Sequence, residues 1–549
     1  MKKIIECVPN FSEGRDVNII KQITDAIENV AGAKLLHVDM GAATNRTVVT
    51  FAADENTIVE AAFQAIKKAS ALIDMRKHHG EHPRSGAIDV CPFIPIANAS
   101  IEDCIACAKK LGKRVAEELD IPVYLYEYAA TANHRTNLAH IRAGEYEGIK
   151  DKIKLPEWQP DYGNATFNER SGNLITGARN ILIAYNANLN TTSVRRANSV
   201  AFDIREQGRK IKDEAGIETQ QPGWCKSVKA IGWFIEEYGL AQVSMNLTNI
   251  NHTPIHIAFD ACVKSAYQRG MRVTGSELIG LIPLQSMLDA GKYFLEKQQR
   301  SSGVGDEELI RIAIKSMGLD ELAPFEPRKR IIEYVLEDVL ANALVNKTLT
   351  EFANETASES PAPGGGSVAA YIGALGISLG TMVANLSAHK KGWDNRWKEF
   401  SDWAQKGQEI KSALLKLVDE DTLAFNAIMN AFALPKNTDE EKQTRSKAIQ
   451  TATKHAIEIP FRVMELSYQS FDIIAAMAKE GNPNSISDAG VGALCARTAV
   501  YGAYLNVLIN AQSLKDETFK KDVTTKAEQI LNSTLQKEQQ ILEIVKSRI

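Results

Sequence analysis

Cysteine is scarce in this sequence: seven residues lie scattered along a chain of 549. An odd number at irregular spacing does not make a disulfide framework, so the sequence predicts a reducing compartment, and we expect the cytoplasm. Two of the seven, Cys104 and Cys107, form an isolated CxxC in a segment of helical periodicity and are interpreted as core residues. The first apolar run is broken by Glu6 and is too short for a signal peptide, so we expect no secretion.

A strong net charge is missing as well. The chain carries 64 basic and 68 acidic residues, a formal charge of −4, with hydrophobic and charged fractions of an ordinary globular protein. We therefore expect no nucleic-acid partner. One stretch, Ser367 to Ala388, lacks charge over more than the width of a bilayer, yet it is rich in Gly, Ala, Ser and Thr. It predicts a buried helix of a bundle rather than a membrane span.

Histidine is rare, with ten in the chain, yet His78, His79 and His82 lie close together in one segment. The order HExxH is absent, and Gly80 and Pro83 interrupt any helix that could present two imidazoles to one ion. We therefore predict no metal site in this segment.

His82 also suits proton transfer. It precedes Pro83 on a rigid loop that leads into an apolar strand pattern, so its imidazole could be aimed into a cleft. An ordinary histidine pKa of about 6.5 permits acid/base chemistry at neutral pH. Asp39, on an upstream strand, could orient the ring. From the residues alone, an acid/base role and a structural or surface role both remain open.

The periodicity of the sequence indicates two kinds of architecture. The N-terminal part alternates β-rich runs with helical segments, and a polar, Gly- and Asn-rich break separates two such regions. We predict two α/β subdomains of the α+β sandwich type with a mixed sheet, 1–180 and 181–327, followed by a linker, 328–344. Residues 345–549 are helical in period and predict an all-α bundle domain.

Three consecutive acids, Asp419, Glu420 and Asp421, occur in the helical part. On a helix they point in directions ~100° apart. Only Asp421 falls within the apolar stripe, which comprises Leu414, Leu417, Val418, Ala424, Phe425 and Ile428. A buried acid is costly unless it is paired or protonated, and burial raises its pKa, as is common for a general acid or base. A catalytic carboxylate and a structural, hydrogen-bonded carboxylate both fit the residues.

Glycines cluster in PAPGGGS, residues 361–367, where the GK[ST] of a P-loop does not follow. Backbone N–H groups at such a helix start can bind an anion, although a simple turn between crowded helices would need the same residues. Further along, Gly492, Ala499 and Gly502 are small enough for close helix contacts, including contacts between subunits.

Motifs from both parts of the chain resemble one family. The α/β part contains ECVPNFSEGR, HVDMGAATNRTVVTF, HHGEHPRSGAIDVCPFIPI, PVYLYEYAA, KAIGWF and GSELIGLIPL, and the helical part contains PAPGGGSVAA, LVDEDTLAFNAI, LPKNTDEEK and YGAYLNVLIN. In this order they resemble formimidoyltransferase-cyclodeaminase, in which glutamate formimidoyltransferase is fused to formimidoyltetrahydrofolate cyclodeaminase.

The resemblance implies a bifunctional folate enzyme of histidine degradation. The first part would transfer the formimino group from N-formimino-L-glutamate to tetrahydrofolate, and the second would convert the product to 5,10-methenyltetrahydrofolate and ammonia. Tetrahydrofolate, expected in polyglutamylated form, would be the one-carbon acceptor, no metal is expected, and the chain would form a homo-oligomer. The alternatives are a transferase fused to a methenyltetrahydrofolate cyclohydrolase or to an inactive assembly domain.

The resemblance also implies residue roles. It makes His82 the acid/base residue of the transferase, supported by Asp39, and Asp421 the catalytic aspartate of the cyclodeaminase. It places folate contacts along one segment, which comprises Gly163, Asn164, Ala165, Thr166, Phe167, Asn168, Glu169, Arg170, Ser171 and Gly172. Because both substrates carry carboxylates, an electropositive channel is expected, with the nearby cations Arg46, Arg76, Lys77 and Arg84 as candidates.

Overall fold

A computed structural model gives the fold of the chain. It describes residues 3–42, 44–80, 83–212, 218–337, 343–360 and 362–549. Packing divides the chain into two compact units, each discontinuous in sequence. The first unit comprises residues 1–286 and 317–336, and the second comprises 287–316 and 337–549.

The N-terminal subdomain of the first unit is a mixed sheet whose three longest helices pack on one face. Among the described residues its strands are β1 (Ile4–Cys7), β2 (Asn10–Phe11), β3 (Lys34–Gly41), β4 (Arg46–Ala53), β5 (Ile88–Ala97), β6 (Val123–Glu127) and β7 (Leu174–Ala178). Its helices are α1 (Val17–Glu28), α2 (Thr57–Leu72), α3 (Ile101–Leu119), α4 (Leu138–Arg142) and α5 (Glu145–Lys152). The strand order is β3-β4-β1/β2-β5-β7-β6; β7 runs parallel to both neighbours and the other pairs are antiparallel.

Strand alternation decides which side chains enter the core of this subdomain. On β1, Ile5 and Cys7 are fully buried beneath the helices, and Glu6 between them points to the opposite face of the sheet. Helix α1 begins where the Asp16 side chain accepts hydrogen bonds from two backbone N–H groups of the first turn. Cys104 and Cys107 are buried on α3, which confirms that they are core residues.

The second subdomain of the first unit contains an antiparallel sheet. The following strands are β8 (Ile183–Leu189), β9 (Arg209–Lys212), β10 (Glu218–Gln221), β11 (Val228–Ile235), β12 (Leu240–Leu247) and β13 (Val273–Ile279). Its helices are α6 (Val194–Ile204) and α7 (Ile255–Tyr267). Next in the chain come α8 (Leu284–Lys297) and α9 (Asp306–Met317), which belong almost entirely to the second unit, and then α10 (Pro327–Arg330) and α11 (Ile332–Glu337). The sheet has the order β11-β12-β8-β13, and α6 and α7 pack on one face, while β9 and β10 form a separate hairpin.

The second unit is a helical bundle, which confirms the predicted fold class of two α/β subdomains followed by helices. Its further helices are α12 (Leu349–Thr356), α13 (Gly365–Ala388), α14 (Trp397–Ala433), α15 (Asp439–Glu480), α16 (Ile486–Ala511) and α17 (Glu517–Arg548). Helix α13 packs against α14, α15 and α16, and α17 packs against α15 and α16. Isolated 3₁₀ turns along the chain are Met75–Lys77, Asn133–Arg135, Pro156–Trp158, Leu344–Asn346, Asp394–Arg396 and Pro483–Ser485.

Helices α13 and α16 approach each other closely because glycines line their contact. A Cβ atom at Gly376 would lie 3.0 Å from the carbonyl oxygen of Gly492, and one at Gly502 would lie 3.2 Å from the Cβ of Ala369. The small residues of α16 therefore serve a contact within the chain; a contact between subunits stays a prediction. By length and composition alone, α13 and the segment Pro483–Ala511 are apolar enough to cross a membrane, a property that core helices of bundles share.

A short segment from outside the predicted bundle packs into the second unit. This docking segment, Ser301–Gly303, is buried. The Ser301 hydroxyl donates to Oδ1 of Asn385 (2.7 Å), and the amide groups of Asn385 and Gln408 donate to the carbonyl oxygen of Gly303 (2.8 and 3.1 Å). A Cβ atom at Gly303 would lie 2.3 Å from that of Ala404. Packing therefore groups residues 287–316 with helices that follow them at a distance in sequence.

Candidate active sites

The first candidate site lies on the sheet face opposite α1, α2 and α3. In the register of the sheet, Glu6 on β1 lies beside Ala52 of β4, while His37 and Asp39 of β3 lie opposite Thr50 and Val48 of β4. Paired residues of antiparallel strands point to the same face, so Glu6, His37 and Asp39 share this polar surface.

The second subdomain encloses this surface. Nη1 of Arg330 lies 3.2 Å from Nε2 of His37, and Nζ of Lys34 donates to the carbonyl oxygen of Val335 (2.5 Å). Burial lowers the pKa of His37, and the charge of Arg330 lowers it further, so this imidazole is neutral near pH 7. Residues of the second subdomain therefore lie against the polar face within the first unit, and we call the junction between them the intersubdomain cleft.

His82 lies outside the described residues, together with Glu81, but the residues on either side of this pair are described. Asn45 donates through its side-chain amide to the carbonyl oxygen of His79 (2.9 Å), and a Cβ atom at Gly80 would lie 2.3 Å from the carbonyl oxygen of Thr44. Thr44 and Asn45 belong to the turn between β3 and β4, close to the end of β3 that carries Asp39. The roles of His82 and Asp39 stay predictions.

Three of the four cations proposed for carboxylate binding already have protein partners: Arg76 pairs with Asp74 (2.7 Å), and Arg46 and Arg84 are more deeply buried. The first of these two, Arg46, donates to Oδ1 of Asn10 and, with Arg142, to the fully buried Asp89. Burial alone would raise the pKa of Asp89, but the charges of Arg142 and Arg46 lower it to about 2. This cluster is therefore permanently ionised, and Arg46 serves the fold.

The second, Arg84, forms ion pairs with Glu145 and Glu147 (2.7 Å each), and its Nε donates to Nδ1 of His78 (3.3 Å). Since Nδ1 of His78 accepts this bond, its Nε2 carries the proton and donates to the carbonyl oxygen of Asn45 (2.8 Å). His78 is thus a neutral, structural histidine, and Arg84 is not available as a free cation for a substrate.

The predicted folate segment, residues 163–172, packs beside the strand that follows His82. The Ala87 N–H donates to the carbonyl oxygen of Ser171 (2.8 Å), and a Cβ atom at Gly172, where φ is +69°, would lie 2.3 Å from the carbonyl oxygen of Ser85. The side chain of Arg170 donates to backbone carbonyls at the end of α2. The structure thus brings this segment and the His82 region together, and Arg170 serves the loop; folate contacts stay a prediction.

The second candidate site lies in the helical bundle, where Asp421 of α14 meets the first turn of α13. The hydroxyl group of Ser367 donates to Oδ2 of Asp421 (3.0 Å), and the Ser367 backbone N–H donates to the same carboxylate. Burial raises the pKa of Asp421, and the two hydrogen bonds from Ser367 partly offset this rise. A proton acceptor held above the usual aspartate range is suited to proton transfer near neutral pH.

Gly366 leaves room for this carboxylate. A Cβ atom at Gly366 would lie 2.2 Å from Oδ1 of Asp421, whereas one at Gly365 would lie 3.4 Å from the nearest atom, Nδ2 of Asn506. The glycine cluster thus has a specific partner in the protein. The sequence suggested an anion at this helix start, and the anion that the structure places there is the side chain of Asp421.

The predicted helical phase is confirmed for Asp421 and Glu420, whereas Asp419, which we expected outside the buried stripe, is half-buried like Asp421. Asp421 lies on the covered side of α14, Glu420 is exposed, and Oδ1 of Asp419 accepts a hydrogen bond from the backbone N–H of Leu344 (2.6 Å). Phe425, which we expected in the buried stripe, is instead 37% exposed, because the last turns of α14 are less covered than those around Val418. Within the described ranges, no group of three or more His, Cys, Asp or Glu residues is arranged to hold a metal ion.

Known protein families match three successive segments of the chain. Residues 4–179 match the family described as the formiminotransferase domain, N-terminal subdomain, and residues 184–337 match the formiminotransferase domain. Residues 348–529 match the family described as formiminotransferase-cyclodeaminase.

Relatives match almost the entire chain. Formimidoyltransferase-cyclodeaminase of Rattus norvegicus is 42% identical over 522 residues, 95% of each chain, and that of Dictyostelium discoideum is 42% identical over 551 residues, the full length of both. The crystal structure of formiminotetrahydrofolate cyclodeaminase from Thermotoga maritima, 28% identical, covers 37% of this chain and 96% of its own, with a TM-score of 0.32. The chain therefore belongs to the formimidoyltransferase-cyclodeaminase family.

Proposed function

We propose that this chain is a bifunctional folate enzyme of histidine degradation that works in the cytoplasm. It transfers the formimino group of N-formimino-L-glutamate to tetrahydrofolate and then closes the product to 5,10-methenyltetrahydrofolate with release of ammonia. The observation that carries the proposal is the contact between Asp421 and the first turn of α13, because it gives the helical unit a carboxylate with a raised pKa, which suits a general acid/base.

In the first reaction, N5 of tetrahydrofolate attacks the amidine carbon of formiminoglutamate and forms a tetrahedral intermediate. The bond from this carbon to the glutamate nitrogen then breaks, and that nitrogen leaves as an amine once it has gained a proton. His82 takes the proton from N5 and delivers it to the departing nitrogen. The turn residues Thr44 and Asn45 contact His79 and Gly80, the last described residues before His82.

In the second reaction, N10 attacks the formimino carbon and the C–NH2 bond breaks, so the N10 proton must reach the departing nitrogen. Asp421 accepts this proton as a carboxylate and donates it as a carboxylic acid. Burial brings its pKa toward that of the reacting groups, while Ser367 keeps the ionised form accessible. One residue can therefore perform both proton transfers, and neither transfer is assigned to a metal ion.

We further propose that the chain forms a homo-oligomer through the helical unit. Large apolar side chains of α13 and α16 are exposed, namely Leu375, Met382, Leu386, Val491, Leu494, Leu505 and Ile509. Exposed apolar surface of this kind is typical of protein interfaces. The same proposal includes polyglutamylated folate as the physiological form of the acceptor. It also includes domain boundaries at residues 180, 327 and 344.

One assay tests the two activities together. The purified chain is supplied with formiminoglutamate and tetrahydrofolate, and methenyl-folate absorbance and ammonia are followed in parallel. We expect His82→Ala to slow transfer by ~10²–10⁴, the usual range for loss of a general acid/base, while supplied 5-formiminotetrahydrofolate is still deaminated. Asp421→Asn should give the reverse, with 5-formiminotetrahydrofolate accumulating. The exposed neighbour Glu420→Gln is the matched control and should leave both activities intact.

The outcomes separate the alternatives. Formation of neither product by the unmodified chain contradicts the proposal. Normal transfer with hydrolysis of methenyltetrahydrofolate, and no ammonia that depends on Asp421, would identify the helical unit as a cyclohydrolase. Normal transfer with no second reaction of either kind would identify it as an assembly domain.

A further inference from the structure

Glu6 is a buried acid whose carboxyl group has no partner in the described part of the protein. It lies on β1 in the middle of the sheet and is 6% exposed. Its neighbours on β4 and β5 are Ala52 and Ile94, neither of which can form a hydrogen bond through its side chain. Among the described residues, no hydrogen bond or ion pair reaches the carboxyl group, although the charges of Arg179 and Glu333 act on it from further away.

An isolated buried carboxyl group is costly, and natural proteins rarely keep one without a use. Burial raises the pKa of Glu6 to about 7, and Glu333 raises it while Arg179 lowers it. The group can therefore be ionised near neutral pH at the floor of the intersubdomain cleft. Its two oxygen atoms are then free acceptors that a bound molecule can satisfy.

We infer that Glu6 binds a planar pair of N–H donors on an N–C–N group of a substrate. A carboxylate accepts two parallel N–H bonds from such a group in the same geometry that it uses with a guanidinium. This inference rests on the proposed transfer reaction, because both of its substrates carry the group. In formiminoglutamate it is the amidinium, and in tetrahydrofolate it is the ring N3–H with the 2-amino group.

The register of the sheet favours the tetrahydrofolate ring. Glu6 lies beside Ala52, and Asp39 lies opposite Val48, four residues along β4 and thus roughly 13 Å away along the strand direction. The amidine carbon must stand beside the acid/base residue, whereas the amino-pyrimidine edge of a bicyclic ring system extends away from N5. A ring bound by Glu6 at one end can therefore present N5 toward the Asp39 end of the cleft.

The test is Glu6→Gln in the full-length chain, because glutamine keeps the size of the side chain but removes its charge and one acceptor. We expect KM for tetrahydrofolate to rise roughly 10- to 100-fold, the effect of losing hydrogen bonds to a charged group, and KM for formiminoglutamate to change little. A rise confined to formiminoglutamate would assign Glu6 to the amidinium instead. Glu28→Gln, an exposed acid on α1, is the matched control and should change neither constant.

The pH dependence gives a readout that a structural role would not change. In the unmodified chain, KM for the substrate bound by Glu6 should rise as the pH falls through about 7, because Glu6 then takes up a proton. The charged groups that act on Glu6 are Arg179 after β7 and Glu333 on α11, and Lys34 of β3 lies opposite the same Ala52. This step should be absent in Glu6→Gln.

Calorimetric titration with tetrahydrofolate and with formiminoglutamate separates this inference from the proposed function. Absence of turnover in the unmodified chain contradicts the function, while binding can still be compared between the two proteins. Unchanged KM and unchanged Kd for both substrates in a cooperatively folded Glu6→Gln variant would overturn the role of Glu6. Failure of the unmodified chain to bind either substrate would overturn it as well.

Discussion

A single methyl group at Gly366 should separate the two activities of this chain. Gly366 is the second residue of α13, and a Cβ atom there would lie 2.2 Å from Oδ1 of Asp421. Cβ atoms do not approach other heavy atoms closer than about 3.0 Å, so Gly366→Ala must move the carboxylate and the helix start apart by at least 0.8 Å, the difference between 3.0 Å and 2.2 Å.

The expected cost follows from this displacement. A shift of about 1 Å in a catalytic group can reduce a rate by ~10²-fold, which corresponds to about 2.7 kcal/mol in the activation free energy. The shift also lengthens the hydrogen bond that Ser367 donates to Asp421, at present 3.0 Å. Formimino transfer in the first unit should be unaffected.

The assay is ammonia release from supplied 5-formiminotetrahydrofolate, with Gly365→Ala as the matched control. An added Cβ at Gly365 meets its nearest atom at 3.4 Å, an ordinary contact, and alanine favours the helix at both positions. We therefore expect Gly365→Ala to keep its activity and Gly366→Ala to lose it. Equal activity in the two variants, with both folded, would refute the placement of Asp421 at the catalytic centre.

Two further predictions concern stability. Because the folded-state pKa of Asp421 is raised, first by burial, its ionised form is disfavoured in the folded chain. Stability is therefore lost as the pH rises from the ordinary aspartate pKa to the raised one, and Asp421→Asn should gain in Tm relative to the unmodified chain over the pH range that begins at about 4. A constant difference in Tm across this range would contradict the raised pKa. Gly303→Ala should destabilise the helical unit by about 1–3 kcal/mol through overpacking against Ala404. The control is Gly305→Ala, whose added Cβ meets no atom within 4 Å and should not destabilise the unit. Denaturant unfolding measures both variants, and equal midpoints would contradict the close packing of the docking segment.

Local periodicity was sufficient to predict part of this structure. The phase of α14 separated Asp421 from Glu420 correctly, because the repeat of one helix determines which side chains share a face. It failed at Phe425, since periodicity shows which face is apolar but not where the covering helices end. The sequence was sufficient to predict a helix start at the glycine cluster 364–366. It could not predict the contact of this cluster with Asp421, because Asp421 lies more than fifty residues away in sequence.

Glu6 shows that burial caused by a distant part of the chain cannot be predicted from local periodicity. In IIEC, an acid between apolar residues has the pattern of a strand with one solvated face, and nothing local distinguishes it from a surface residue. Its burial arises from the covering of that face by a second subdomain. The ion pairs of Arg46 and Arg84 could not be predicted for a related reason: the sequence shows that cations are present, but the acids that pair with them come from distant segments.

The docking segment affects when the two units can complete their folding during synthesis. Gly303 leaves the ribosome 105 residues before Gln408, its partner on α14, an interval of ~5–20 s at usual translation rates. During that interval residues 317–336, which complete the first unit, also emerge, so two incomplete units exist on one nascent chain. The two units of this chain therefore cannot be separated by one cut, since no single cut leaves 287–316 with its helices and 317–336 with the first unit.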